Sequence, residues 1–211
     1  MHQTKDELSL PIEIGNAIFH GIATGLAIAG LVILIVHAAQ LGGAMRIVTT
    51  SIYGSILVLF FLSSTLFHAL IYTRAQHVFR VFDHAMIFLL IAASYTPISL
   101  VTIGGWQGWT LFGCEWALAI AGVVYKSLWL KKKNAWSTLI YILMGWLCLT
   151  CFPILWHALP RPGFWLLLAG GIIYTLGAGV YLFKLPSAHF IWHFFVIAGS
   201  ACIYFTILLY V

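Results

Sequence analysis

Seven apolar runs follow one another along the chain, at about 17–38, 46–71, 82–103, 109–130, 135–156, 163–183 and 188–210. A helix of roughly 20 residues crosses the hydrocarbon core of a bilayer, and each run is near or above that length. The breaks between them read "QLGGAMR", "YTRAQHVFRV", "GGWQG", "KKKN", "LPRPG" and "KLPS", where glycine, proline and charge supply the turn chemistry. β-Barrel strands would be shorter and would alternate; these runs are continuous. The expected fold is all-α, a seven-transmembrane helix bundle, with residues 1–15 as a cytoplasmic N-terminal segment and 16–211 as a single domain.

Composition agrees. Of the 211 residues 63% are hydrophobic and 7% charged, with a mean hydropathy of +1.04. A soluble domain carries about 25% charged residues to solvate its surface. This surface must meet lipid, so membrane lipids are the first expected partner. The opening "MHQTKDELSLPIEIGN" has no apolar core of the kind a cleavable signal peptide needs.

Orientation follows from Lys and Arg in the connections. With the N-terminus cytoplasmic, that side holds Lys5, Arg74, Arg80, Lys126, Lys131, Lys132, Lys133 and Lys184, and the other holds Arg46 and Arg161. The bias sets the N-terminus inside and the C-terminus outside. It also explains the net charge of +5 without nucleic acid. Cys148 and Cys151 form a CxxC within the fifth span, and their simplest role is as small apolar core residues. Pro97 and Pro153 are expected to kink the third and fifth helices. Ala17, Gly21 and Gly25, four apart, are expected to let the first helix approach a neighbour closely. Trp106, Trp109, Trp129, Trp136, Trp156 and Trp165 fall near span ends, as an aromatic belt would. Glu115 and Lys126 on the fourth span lie within reach of an interface.

Ionisable residues inside a bilayer are costly and mark function by default. Here they converge. Glu13, Asn16 and His20 open the first span, Ser64 and His68 close the second, Asp83 and His84 open the third, and His189 and His193 open the seventh. With seven spans these four ends share one side of the membrane. His189 and His193 are i and i+4, so they project from one helix face, and Ser64 and His68 repeat that spacing. A lone intramembrane histidine is ordinarily a core or interface residue, which is how His37 and His157 read. Three imidazoles with a carboxylate or water suit tetrahedral zinc, and a position left for water marks a catalytic site. The expected metal ligands are His68, His189 and His193, with Asp83 beside them.

"S-x-x-x-H" on the second span, "FDH" opening the third, "SYTP" within it and "H-x-x-x-H" opening the seventh resemble the hemolysin III-like proteins. These are the bacterial branch of the progestin and adipoQ receptor family, which includes the adiponectin receptors and is distantly similar to alkaline ceramidases. "E-x-x-N-x-x-x-H-G", from Glu13 to Gly21, resembles that branch too. The family often shows two adjacent acids where this chain has "IE".

The resemblance implies a seven-helix fold with a cytoplasmic N-terminus and a Zn2+ ion held by His68, His189 and His193. It places Asp83 beside the metal, as a ligand or through a water, and Ser64 close to that water. Zinc with three neutral ligands lowers the pKa of water from 15.7 toward about 7. Asp83 is then the expected general base, with Ser64 hydrogen-bonding the water or a developing oxyanion. The implied activity is zinc-dependent hydrolysis of a lipid amide or ester, ceramidase-like, at the cytoplasmic side of a bacterial inner membrane. A non-enzymatic sensor with structural zinc is the main alternative, and a pore-forming cytolysin ranks below it.

Overall fold

The computed structural model describes residues 10–129, 135–182 and 188–211, all of them helical or in short helical connections. Lys5, Lys131, Lys132, Lys133 and Lys184 of the charge count lie outside the described residues, as does the side chain of Trp129. Among the described residues there are eight α-helices: α1 Leu10–Leu41, α2 Ala44–Ala69, α3 Gln76–Pro97, α4 Gly105–Trp129, α5 Ala135–Gly145, α6 Phe152–Ala158, α7 Arg161–Leu182 and α8 Ala188–Tyr210. Seven helical segments are long and apolar enough to cross a membrane.

Neighbours in sequence pack as antiparallel neighbours in space, α1 on α2, α2 on α3, α3 on α4 and α7 on α8, and α1 also meets α8. Most large apolar side chains of the outer surface are exposed, including Leu26, Ile28, Val32, Leu143 and Leu209, as a lipid-facing surface requires. Trp106, Trp109, Trp136 and Trp165 are exposed near helix starts, in keeping with an aromatic belt.

α1 starts earlier than its apolar run and carries its polar residues inward. Its buried face runs Glu13, Asn16, His20, Ala23, Thr24, Ala27, Gly30, Leu34 and Ala38, a helical period in which the first three positions are polar. The small-residue expectation shifts along this helix. A Cβ at Gly21 would find only ordinary contact with Thr65, and Gly25 has nothing within 4 Å; the tight approaches are Gly15 on Phe190 and Gly30 on Tyr204. The turn into α2 uses Gly42 and Gly43 at φ 81° and 94°, a region other residues enter at a cost.

Both prolines act, in different ways. After Pro97 the chain continues as a π-helical turn, Ile98–Ile103, closed by Gly104 at φ 63°. The fifth span breaks upstream of Pro153 instead. α5 stops at Gly145, Leu147–Cys151 forms a 3-10 turn, and Pro153 sits in the first turn of α6, where its missing N–H costs nothing. Backbone groups freed inside a bilayer need partners. Tyr95 of α3 supplies one: its hydroxyl donates to the Gly145 carbonyl at 2.7 Å and accepts from the Cys148 N–H at 3.0 Å. Cys148 and Cys151 are free thiols packed with Tyr95 and Leu111, as the apolar reading expects.

Glu115 departs from expectation. It is fully buried in α4, ten residues or about 15 Å from the start of the helix, and reaches no interface.

Candidate metal centre

The end of α2, the start of α3 and the start of α8 meet the first turns of α1 at one end of the bundle. Three ring nitrogens come together there. His68, His189 and His193 each offer one nitrogen, and these lie within 4.8 Å of one another. His68 and His193 are buried. Nε2 of His68 and Nε2 of His189 stand 3.4 Å apart. Ligand nitrogens at 2.0–2.1 Å from a tetrahedral zinc are separated by about 3.3 Å, so this edge already has the length a metal imposes.

The other ring nitrogens are occupied in a way that fixes which atoms point inward. His68 donates its Nδ1–H to Glu13 Oε2 at 2.6 Å, leaving Nε2 to the cluster. Nδ1 of His193 shares a hydrogen with Nε2 of His20, leaving Nε2 of His193 buried with no hydrogen-bond partner among the described residues. A buried imidazole nitrogen without a partner costs free energy unless something accepts its lone pair. A divalent metal would do so. A carboxylate behind one ligand histidine and an imidazole behind another are the outer contacts that orient metal ligands. The donor set and its supports fit zinc.

Ser64, one turn before His68, is fully buried and its Oγ has no hydrogen-bond partner among the described residues. Its hydroxyl is therefore uncommitted, on the same helix as His68. Asp83 is buried on α3, but it stands outside the set of three nitrogens. Its Oδ2 approaches Nδ1 of His84 at 3.6 Å, while that ring donates to the Arg80 carbonyl at 2.9 Å. His37 is half-buried in α1, and His157 is exposed in α6.

Sequence reasoning listed Glu13, Asn16 and His20 without giving them work. Their signal was legible: polar residues at i, i+3 and i+7 in an otherwise apolar helix share a face. Asn16 lies between the other two on that face, fully buried, with neither amide atom hydrogen-bonded among the described residues.

A cavity of about 140 Å³ opens deeper in the bundle, bounded by α2, α3, α5, α6, α7 and α8. Phe60, Leu90, Tyr141, Trp146, Trp192 and Val196 are among its mainly apolar lining.

The family model described as haemolysin-III related matches residues 8–204. The chain belongs to the haemolysin III family. Hemolysin-3 of Bacillus cereus is 46% identical over 94% of this chain and 91% of its own length. The hemolysin-3 homolog of Bacillus subtilis (strain 168) is 42% identical over 94% and 93%. The monocyte to macrophage differentiation factor of Homo sapiens is 31% identical over 76% of this chain and 69% of its own length, which carries the likeness into the progestin and adipoQ receptor family. No solved structure matches the chain. As a haemolysin III family member with seven apolar helices, the protein is a multi-pass membrane protein.

Proposed function

We propose that this haemolysin III family member is a zinc-dependent hydrolase of lipid amide or ester bonds, working at the cytoplasmic side of a bacterial inner membrane. The observation that carries this reading is the convergence of His68, His189 and His193, with Nδ1 of His68 and of His193 committed and Nε2 of His193 left without a hydrogen-bond partner among the described residues. The cytoplasmic assignment rests on the charge bias of the connections.

His68, His189 and His193 would hold the ion. Zinc there supplies Lewis acidity, polarising a carbonyl and acidifying water. Asp83 takes the proton of the attacking water and returns it to the leaving nitrogen or oxygen as the C–N or C–O bond breaks. Ser64 donates its hydroxyl hydrogen to the carbonyl oxygen as negative charge gathers on it. Asp83 as a base working through water, and not as a fourth ligand, suits its place outside the nitrogen cluster. The apolar cavity suits hydrocarbon chains.

A second reading treats the metal as a clamp in a non-enzymatic sensor. The Glu13–His68 and His20–His193 bonds favour it, because they tie α1 to ligands on α2 and α8. Purified protein loaded with zinc and given ceramides and other lipid amides separates the two. Fatty acid release that disappears in His193→Ala supports the hydrolase. Release unaffected by that substitution, or no release by a fully metallated wild type, defeats it.

A further inference from the structure

Next to the three histidines, at the same end of the bundle, stands a group of side chains that the hydrolytic reading leaves idle. Arg80 and His84 lie in the first turns of α3, Lys126 in the last turn of α4, Tyr141 on α5 and Tyr181 near the end of α7. A lysine placed for topology alone snorkels, its stem in hydrocarbon and its ammonium in water. Lys126 is 6% exposed, so protein covers it.

A covered cation needs a counter-charge. Among the described residues Lys126 has no ion pair with a carboxylate. The basic groups at the same end of the packed α3–α4 pair are Arg80, in the first turns of α3, and His84, one turn further on. Asp83 faces His84 at 3.6 Å, and it forms no ion pair with either cation. Two basic groups thus stand at one end of the packed α3–α4 pair, and among the described residues no carboxylate forms an ion pair with either.

This group is one side chain away from the metal ligands. The Tyr181 ring lies 5.7 Å from that of His189. The Phe67 ring lies 4.7 Å from His68 and 6.5 Å from His84. Tyr141, whose hydroxyl donates to the His84 carbonyl at 3.1 Å, also lines the apolar cavity. Cations, histidine cluster and cavity are therefore contiguous.

We propose that Arg80 and Lys126 bind an anionic phosphate headgroup, with the attached hydrocarbon running toward the cavity. Arginine meets phosphate oxygens as a two-pronged donor and lysine as a point charge, so the pair suits a phosphomonoester. The site goes beyond the hydrolase reading, and its test reads binding alone, so absent turnover leaves it standing.

Titration calorimetry on the detergent-solubilised full chain decides it, with dioctanoyl phosphatidic acid, dioctanoylglycerol and inorganic phosphate as probes. Wild type is expected to bind the phosphatidic acid and to bind the diacylglycerol, which has the same chains without phosphate, far more weakly. Lys126→Met is expected to weaken phosphatidic acid binding roughly tenfold or more, with Lys126→Arg close to wild type. Competition by inorganic phosphate assigns the site to the phosphate group by itself; phosphatidic acid binding without such competition assigns it to the lipid, chains included. Arg80→Gln, at an exposed position, gives an independent reading should Lys126→Met fail to fold. Equal binding of diacylglycerol and phosphatidic acid, or unchanged affinity in folded Lys126→Met or Arg80→Gln, overturns the proposal.

Discussion

Glu13 and His68, 55 residues apart in the chain, meet at 2.6 Å through the Nδ1–H of the imidazole. The contact determines which nitrogen His68 turns toward His189, and so makes the first turns of α1 part of the candidate metal site. Outer partners of this kind change metal affinity roughly 10- to 100-fold when removed. Glu13→Ala is expected to weaken zinc binding by that factor in a competition titration, with the helical content intact.

His20 plays the corresponding part for His193. His20→Leu removes the hydrogen-bond partner of Nδ1 and frees the ring to turn. Zinc affinity is expected to fall by about tenfold or more. His37→Leu, further along the same helix and away from the cluster, is expected to leave it unchanged, and equal losses in both variants would show that α1 acts by general packing.

Chelation tests how far the metal holds the helices together. His68 and His193 come from α2 and α8, which the bundle joins through α1. A ligand bound only by the folded state stabilises it by about 4 kcal/mol at a thousandfold excess over its Kd. A strong chelator is expected to lower the thermal unfolding midpoint of wild type and to leave that of His193→Ala where it is. Identical shifts in both proteins would place the metal elsewhere.

The α7–α8 contact rests on small residues. A Cβ at Gly177 would lie 2.5 Å from the Cβ of Phe195, while a Cβ at Gly179 has nothing within 4 Å. Gly177→Leu is expected to cost about 1–3 kcal/mol through overpacking, read as a lower midpoint of thermal unfolding in detergent. Gly179→Ala is expected to be neutral or mildly stabilising.

Much of this was legible in the residues. The length of the apolar runs marked the seven spans, because a bilayer demands length and hydropathy before it demands anything subtler. The i, i+4 spacing of His189 and His193, with His68 at the matching end of the second span, marked the three histidines that converge. The shared face of Glu13 and His20 was legible but their partners were not, since pairing across 55 and 173 residues leaves no local pattern. The break in the fifth span was hidden for another reason. Hydropathy runs on through Gly145 and Trp146, and what permits the break is Tyr95 on a different helix, which satisfies the loosened backbone. Asp83 was placed at the right end of the bundle, but spacing along α3 does not say how near its carboxylate comes to the nitrogens.

The most direct measurement is the metal content of the purified full-length protein, wild type against His68→Ala. Stoichiometric zinc in the wild type and its loss in a folded variant is the expected result. Zinc retained in full by His68→Ala, or none in a wild type purified with zinc supplied, would contradict the site.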